Sequence, residues 1–288
     1  MLNCTKKLFA DDTKLSSVNT TPEQREELQQ SIDYMCRWTE SWLMALNIDK
    51  CKHIEIGTKE KTSQYTLHQD GTRSVIDKTN QEKDLGVFVD DKLNFSTHVQ
   101  KTASKANQIT GIIYRSFTYM SPAIFTTLYK ALIRPHLEYA STTWSPLYVK
   151  DKISIGGVQR RATKRIPTLE GKTYTERLKI LGLPTLEYRR ERADMIQVYK
   201  IINNIDILNR DNLFTQNPYV STRGHSKKLY KRPFRKQLTA NFFSNRIIQP
   251  WNSLPEEVVS APSVNSFKNR LNEFWKNHPR KFKPSFMQ

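Results

Sequence analysis

The sequence predicts an α+β protein, with short strands at the start and mainly helices after about residue 95. Before that point apolar and polar residues alternate over short runs, as they do in strands. After it, apolar residues recur every three or four positions, as on one face of a helix. A chain of 288 residues is long enough for two or three compact units. We expect four segments: 1–94, 95–150, 151–215 and a strongly basic 216–288.

The charge of the chain predicts a polyanionic partner. The formal net charge is +18 and the isoelectric point is about 9.8, and nucleic acid is the simplest partner for such a balance. The charge is also clustered, because residues 222–288 contain 14 Lys and Arg against 3 Glu. This clustering argues against the alternative of a basic protein without a specific partner. We therefore expect RNA, DNA or both, and the oligomeric state stays open.

Cysteine usage and hydropathy exclude several classes of protein. Cys4, Cys36 and Cys51 are too few and too scattered for a disulfide framework or a zinc site, so free thiols are expected. No apolar run approaches the roughly 18 residues of a membrane span. Residues 1–7 are polar and basic, unlike a secretory signal. The sequence predicts a protein of the nucleus or cytoplasm that is neither secreted nor bound to a membrane.

The first predicted element is a hairpin with an acidic pair at its turn. Asp11 and Asp12 lie between the apolar residues Leu8 and Leu15. At a tight turn, neighbouring side chains can reach one site, and paired carboxylates suit Mg²⁺. The alternative is a solvated turn, because Asp is a common turn residue.

A helix over residues 22–46 is predicted next. Thr21 and Gln24 form a capping box, and Pro22 suits the first helical position. The apolar stripe that defines its length comprises Leu28, Ile32, Met35, Trp42 and Leu46. Trp38 and Trp42 are one turn apart, and we favour core packing over base stacking for both.

Three strands are predicted at residues 53–57, 65–68 and 84–89, with a polar turn over 59–63. Gly86 in the third strand would let a nucleic-acid backbone approach closely. We interpret Asp90 and Asp91, which follow that strand, as a solvated loop.

Two helices are predicted between residues 96 and 134. The first presents Val99, Ala103, Ala106, Ile113 and Phe117 on one face. The second starts at Ser121-Pro122, carries Phe125, Leu128 and Leu132, and ends at Pro135. Lys101 and Lys105 share a face, and phosphate contact and simple solvation both stay open.

A basic helix is predicted near residues 151–166, where Val158, Ala162 and Ile166 stand in helical register. Gly156 and Gly157 cost about 1 kcal/mol each in a helix, so either the helix starts at Val158 or this copy of the sequence is decaying. Further helices are predicted at 174–181, closed by Gly182, at 186–202 and at 263–275, with a loop or broken helix over 206–219.

The run from residue 223 to 236 is the strongest candidate for nucleic-acid binding. It has seven basic residues, no acids and two interleaved aromatic residues, a mixture suited to phosphates and stacked bases. A disordered loop is the alternative, although Ile247, Ile248 and Trp251 indicate that folding resumes directly after it. The candidate binding residues are Arg160, Arg161, Lys164, Arg165, Arg223, Lys227, Lys228, Tyr230, Lys231, Arg232, Arg235 and Lys236.

Several short motifs occur in an order that one family shows. They are Phe9-Ala10-Asp11-Asp12-Thr13-Lys14-Leu15, Leu28-Gln29-Gln30-Ser31-Ile32-Asp33, Leu46-Asn47-Ile48-Asp49-Lys50-Cys51, Asp84-Leu85-Gly86-Val87, Arg134-Pro135-His136-Leu137-Glu138-Tyr139, Val158-Gln159-Arg160-Arg161-Ala162-Thr163, Arg223-Gly224-His225 and Trp251-Asn252-Ser253-Leu254-Pro255. Over nearly its whole length, the chain resembles the C-terminal part of reverse transcriptases from jockey-like non-LTR retrotransposons. The resemblance implies an RNA-directed DNA polymerase lineage, with part of the palm over 1–94 and thumb-like helices over 95–150.

The resemblance also implies roles for particular residues. Polymerases of this kind use two Mg²⁺ ions held by carboxylates from two strands. By resemblance, Asp11 is the bridging ligand, Asp12 the supporting one and Lys50 the proton donor to pyrophosphate. Leu85, Gly86 and Val87 correspond to the hairpin that holds the primer end.

The chain departs from the family at its start and in its basic helix. In the family, the fingers and first half of the palm, with another catalytic Asp, precede the hairpin, whereas here Met1 is a few residues away. We therefore expect weak Mg²⁺ binding at most, nucleic-acid binding, and little polymerase activity from the isolated chain. Gly156-Gly157 replaces an acidic position of the family, as in a decaying element copy. The alternatives are a host-recruited, non-catalytic RNA- or DNA-binding protein, and an active polymerase whose gene model lacks upstream exons.

Overall fold

The computed structural model describes residues 4–57, 63–217 and 224–287 and divides the chain into two compact units, Met1–Leu93 and Asn94–Gln288. The first unit holds the described strands, and the second is built from helices. The chain therefore belongs to the α+β class, as predicted.

The described strands of the first unit form four separate two-stranded pairs. Three pairs are antiparallel hairpins, and the pair of β3 with β6 is parallel. The strands are β1 (Thr5–Phe9), β2 (Asp12–Ser16), β3 (Lys52–His53), β4 (Thr66–Gln69), β5 (Thr72–Val75), β6 (Asp77–Lys78), β7 (Gln81–Asp84) and β8 (Val87–Asp90).

Helix α1 (Pro22–Ser41) packs on β4 and forms the core of the first unit. The predicted capping box of Thr21 and Gln24 is present. Gln29 fixes the helix to the strand, because its amide donates to the Thr66 carbonyl at 2.9 Å and accepts from the Thr66 N–H at 3.0 Å. The buried residues that meet between helix and strands are Ile32, Cys36, Tyr65, Leu67 and Ile76.

The prediction that α1 continues to residue 46 is wrong. The helix ends at Ser41, and Leu43 adopts a left-handed φ of 54°, which breaks the helical path. Trp42 is 66% exposed and Trp38 is 38% exposed. Core packing is therefore also the wrong interpretation for Trp42, since its ring meets Trp38 (centroids 6.2 Å apart) rather than the core.

Two predicted strands are also corrected. The strand expected over 53–57 is only the short β3. The strand expected over 84–89 is broken by a two-residue turn, because Leu85 and Gly86 both have positive φ, 44° and 86°, as tight hairpins require. Asp90 ends β8 and is buried, with its carboxylate accepting from the Lys92 N–H at 3.1 Å, so its interpretation as a solvated loop is wrong. The turn predicted over 59–63 lies outside the described residues except for Ser63.

The second unit is a helical assembly. Its helices are α2 (Ser96–Ser116), α3 (Pro122–Leu128), α4 (Arg134–Glu138), α5 (Ser141–Trp144), α6 (Val149–Lys164), α7 (Tyr174–Leu181), α8 (Leu186–Ile202), α9 (Arg210–Leu213), α10 (Gln237–Asn241), α11 (Phe243–Arg246), α12 (Ile248–Asn252), α13 (Glu256–Val259) and α14 (Val264–Phe274). A π-helical turn, Tyr129–Ile133, joins α3 to α4, and single 3-10 turns lie at Pro167–Leu169 and Ser285–Met287.

The apolar face predicted for the first helix of this unit is confirmed except at its last residue. Residues Val99, Ala103, Ala106 and Ile113 are buried along α2, whereas Phe117 lies beyond the helix and is 41% exposed.

The second helix begins as predicted, with the Ser121 side chain accepting from the Ile124 N–H. Pro135 does not end the helical path, because the wide π-helical turn precedes it and Pro135 falls in the first turn of α4, where no N–H is needed. The buried face consequently comprises Phe125, Tyr129, Ile133 and Leu137, rather than Leu128 and Leu132.

Helix α6 runs through both glycines, so the predicted start at Val158 is wrong. Gly156 is a packing position: a Cβ there would lie 2.7 Å from a ring carbon of Phe286. At Gly157 a Cβ would meet only the guanidinium of Arg161, at 2.9 Å, and that group can move away. The helix tolerates Gly156 because the absent side chain leaves space for Phe286.

The core of the second unit forms around α8, whose bounds match the predicted helix over 186–202. Tyr199 stacks on Phe267 of α14 with ring centroids 4.4 Å apart, and both are buried with Trp251. The predicted helices at 174–181 and 263–275 are also confirmed, with Gly182 as the left-handed C-cap of α7. At the end of α14 the buried residue is Trp275, whereas Phe274 is 48% exposed.

The two adjacent glycines of α6 give a matched test of this packing. Gly156→Ala should lower the free energy of unfolding by about 1–3 kcal/mol, because the methyl group overlaps the Phe286 ring. Gly157→Ala should be neutral or stabilise by up to about 1 kcal/mol, since helical propensity improves and only a flexible side chain must move. Chemical denaturation of both variants measures the difference. A Gly156→Ala variant at least as stable as Gly157→Ala would contradict the contact with Phe286.

Candidate nucleic-acid interface

Positive charge is segregated into the second unit. Residues 94–288 contain 33 Lys and Arg against 12 Asp and Glu, whereas residues 1–93 contain 13 against 16. The second unit therefore has a formal net charge of +21 and the first of −3, with His counted as neutral. A polyanion would be attracted to the second unit and weakly repelled by the first.

The acidic pair lies at a hairpin turn, as predicted. Phe9 of β1 pairs with Asp12 of β2, so Ala10 and Asp11 form a two-residue turn. Ala10 takes a left-handed φ of 51°, a conformation that costs an alanine energy and holds the turn tight. Both carboxylates are exposed. Asp11 lies in the turn itself, and Asp12 is the first residue of β2.

The structure places the Leu85-Gly86 turn next to this hairpin. Lys14 of β2 forms an ion pair with Asp84, the residue before that turn. Leu85 and Gly86 occupy the turn itself, and Val87 begins β8 and is buried. The ion pair thereby joins the two hairpins within one unit.

Lys50 is not joined to the acidic pair by the described contacts. It ends the 3-10 turn Ile48–Lys50, where its N–H donates to the Asn47 side chain at 3.2 Å, and it is exposed. Within the described residues, no group of three or more His, Cys, Asp or Glu side chains is arranged to hold a metal ion.

The four predicted cations of α6 form an exposed basic face. Arg160, Arg161, Lys164 and Arg165 are all exposed. Two of them are anchored on α2: Arg161 donates to Asn107 at 3.2 Å, and the Arg165 guanidinium lies 4.1 Å from the ring centroid of Tyr114. Exposed guanidinium groups of this kind can contact phosphates.

The basic segment, residues 224–236, is held against the rest of the second unit. Leu229 is buried and forms a β-bridge with Gln216. The Tyr230 N–H donates to the Thr215 carbonyl at 2.8 Å. Asn252 clamps the other side, because its side chain accepts from the Leu229 N–H at 2.9 Å and donates to the Leu229 carbonyl at 2.8 Å. Arg223, the first predicted cation of the run, lies outside the described residues.

His225 and Trp251 form a second connection between two of the motifs. The Lys227 N–H donates to His225 Nδ1 at 3.1 Å, so Nε2 carries the proton and donates to the Trp251 carbonyl at 3.0 Å. The indole N–H of Trp251 returns a bond to the Lys227 carbonyl at 2.8 Å. Both rings are buried. Residues 26 positions apart thus share one hydrogen-bonded site that positions the cations beside it.

The cations after Leu229 lie on the surface. Lys231, Arg232, Arg235 and Lys236 are exposed, whereas Lys227 and Lys228 are half-buried. Tyr230 is 41% exposed and Phe234 is 38% exposed, so an aromatic face stands among the cations, as stacked bases require.

The sequence did not predict that Asn252 holds the backbone of the basic segment in place. The signal was present in the motif Trp251-Asn252-Ser253-Leu254-Pro255, but its partner segment is more than twenty residues away. A further hydrogen bond holds the basic segment: the Ser226 N–H donates to the Glu256 carboxylate at 2.7 Å.

Comparisons with known proteins assign no family to the chain. No family model and no solved structure matches it. It is similar to an uncharacterised protein of Caenorhabditis elegans, with 24% identity over 130 residues. The match covers 44% of this chain and 63% of the relative, so the chain spans less than two thirds of that relative's length. In the described residues, no helix combines the length and apolar character of a membrane span.

Burial of two histidines in the second unit makes its stability depend on pH. Burial lowers the pKa of His98 to about 4, where the ring packs edge-on against Trp144. Burial also lowers the pKa of His225, although the hydrogen bond to the Trp251 carbonyl partly opposes this. Both rings are therefore folded in the neutral form, and protonation favours the unfolded chain.

Acidification should destabilise the second unit. The contribution of His98 is complete above pH 6.5 and is lost as pH falls from 6.5 towards about 4, a loss of order 3 kcal/mol. Thermal melting between pH 7 and pH 4 measures it. His98→Phe should flatten this dependence because it keeps the ring and removes the titrating group, and His136→Phe, at an exposed site, is the control. An unchanged pH dependence in His98→Phe would rule out this linkage.

Proposed function

We propose that the chain binds nucleic acid through its second unit and represents the C-terminal part of a jockey-like non-LTR reverse transcriptase, without polymerase activity on its own. One observation carries the binding proposal: the positive charge is concentrated in the second unit, where exposed cations surround Tyr230 and Phe234. The order of the sequence motifs carries the proposal of lineage.

The geometry of the first unit supports the proposed lineage. The hairpin carries Asp11 and Asp12 at a two-residue turn, beside the turn that contains Leu85 and Gly86. A catalytic hairpin next to a hairpin that holds the primer end is what the family resemblance implies. In that setting Asp11 and Asp12 would hold Mg²⁺, which supplies charge stabilisation during nucleotidyl transfer.

The proposed lack of activity follows from the same residues. Two-metal catalysis takes carboxylates from two strands, and the turn supplies carboxylates from only one hairpin. Asp11 and Asp12 therefore provide a partial ligand set, and their like charges repel each other when no cation is bound.

A host-recruited RNA- or DNA-binding protein without catalysis is the second candidate. The exposed position of both carboxylates favours it, because binding by the second unit requires neither of them. The two candidates share the basic surface and differ in ancestry. The active-polymerase alternative differs from both in requiring a further carboxylate from a segment upstream of the hairpin.

The dependence of binding on salt tests the basic surface. Each cation that meets a phosphate of a single strand contributes about −0.7 to the slope of log affinity against log salt. The triple variant Lys231→Ala, Arg235→Ala, Lys236→Ala should flatten that slope by about 2 and leave sequence preference unchanged. Titration of a labelled single-stranded RNA at several salt concentrations measures it.

A matched control removes the same charge from the first unit. The variant Lys7→Ala, Lys83→Ala, Lys92→Ala should bind with the slope of the unaltered chain. If the control variant has a flatter salt slope and the triple variant of the second unit keeps the slope of the unaltered chain, the interface lies in the first unit and the proposal is wrong. If the slope flattens only when Arg160, Arg161, Lys164 and Arg165 are replaced by Ala, the interface lies at α6 instead.

Primer extension tests the proposed lack of polymerase activity. The full chain should not extend a primer on an RNA template with Mg²⁺ or Mn²⁺ and all four nucleotides, because the turn supplies only part of the metal ligands. Template-dependent extension that disappears in Asp11→Ala would overturn this part of the proposal and favour an active polymerase.

A further inference from the structure

A cleft of about 190 Å³ opens beside the basic segment. Its lining combines three apolar side chains with two cations and one amide: Ile202, Phe214, Leu229, Arg210, Lys227 and Gln216. Pockets for drug-sized ligands are larger, about 300–1,000 Å³. The size therefore suits a single small ring system, and the lining suits one that carries negative charge.

The β-bridge between Gln216 and Leu229 builds the wall of this cleft. It is extended on both sides, by the Tyr230 N–H bond to Thr215 at 2.8 Å and by the Asn217 N–H bond to Lys228 at 3.1 Å. Two of the lining residues, Lys227 and Leu229, belong to the basic segment itself. A nucleic-acid strand bound to the exposed cations of the basic segment would therefore pass the opening of the cleft.

The lining matches the parts of a nucleotide. Phe214 and Leu229 are each 5% exposed, so they form the apolar floor of the cleft. The Gln216 amide both donates and accepts hydrogen bonds, as the edge of a base requires. Lys227 uses one N–H on Asn203, at 2.7 Å, and keeps two for a phosphate. Among the described residues, Arg210 forms an ion pair with the exposed Asp211, at 3.7 Å, which is a weak interaction.

We propose that this cleft binds one unpaired nucleotide of the nucleic-acid strand. The base lies on the apolar floor of the cleft, Gln216 meets its edge, and Arg210 and Lys227 contact its phosphate. The inference rests on the proposed nucleic-acid binding of the second unit and adds a specific subsite to it. It also predicts a preference for single strands, because a paired base cannot leave the duplex without cost.

Mononucleotide binding to the full chain gives the first test. Adenosine 5′-monophosphate should bind about tenfold or more tightly than ribose 5-phosphate, which has the same phosphate and no base. Saturation-transfer NMR and titration calorimetry measure both ligands. Equal binding of the two would show that the site recognises the phosphate alone and would overturn the inference.

A variant that fills the cleft gives the second test. Gln216→Trp places an indole where the base would lie, so it should abolish the preference for adenosine 5′-monophosphate. It should also weaken single-stranded RNA binding about tenfold without changing the salt slope, because it removes no charge. Asn212→Trp, an exposed position outside the lining, is the matched control and should leave both measurements unchanged. Circular dichroism checks that both variants fold.

The outcomes separate this inference from the proposed function. If RNA binds with the expected salt slope and Gln216→Trp binds it as tightly as the unaltered chain, the cleft inference is wrong and nucleic-acid binding stands. If RNA does not bind, the proposed function fails. In that case a preference for adenosine 5′-monophosphate that Gln216→Trp abolishes still supports the cleft as a nucleotide site, and equal binding rejects it.

Discussion

The surface of the second unit depends on the hydrogen bonds that hold the basic segment to the end of α12. Cations close together in sequence repel each other, and this repulsion favours an open chain. Here Asn252 pairs with both backbone groups of Leu229, and His225 and Trp251 exchange bonds with the segment that contains Lys227. Because these groups are largely buried, breaking one bond leaves a costly unpaired polar group. The clamp therefore fixes the backbone while the later cations project into solvent.

The division of charge between the units would direct a polyanion to the second unit, where the basic segment lies. A net charge of +21 on the second unit and −3 on the first would orient a polyanion before any specific contact forms. The exposed aromatic residues Tyr230 and Phe234 then supply contacts that charge alone cannot provide. The cleft lined by Phe214 and Lys227 would add recognition of a single nucleotide.

Local signals in the sequence predicted those elements whose ends are set by nearby residues. The Thr21 and Gln24 capping box, the two-residue turn at Asp11 and the Gly182 cap each depend on contacts within a few positions, and the structure has them. The bounds of α8 also followed from its own apolar periodicity.

Features that depend on distant residues were missed. Gly156 appeared to weaken its helix, because its partner Phe286 is 130 positions away. Trp42 continued an apolar stripe in the sequence, yet it lies beyond the end of α1 and is exposed. Pro135 predicted the end of a helix. The π-helical turn before it avoids the steric conflict between the proline ring and the preceding turn, so the helical path continues. The role of Asn252 likewise required the fold, since periodicity does not reveal a side chain that pairs with a remote backbone.

Photo-crosslinking tests whether the basic segment of the second unit contacts nucleic acid. The full chain would be irradiated with a labelled single-stranded RNA and digested, and the crosslinked peptides identified by mass spectrometry. We expect crosslinks in the peptides containing Tyr230 and Phe234, and we expect these crosslinks to be lost at high salt. Crosslinks confined to the first unit, or crosslinks that persist unchanged at high salt, would contradict it.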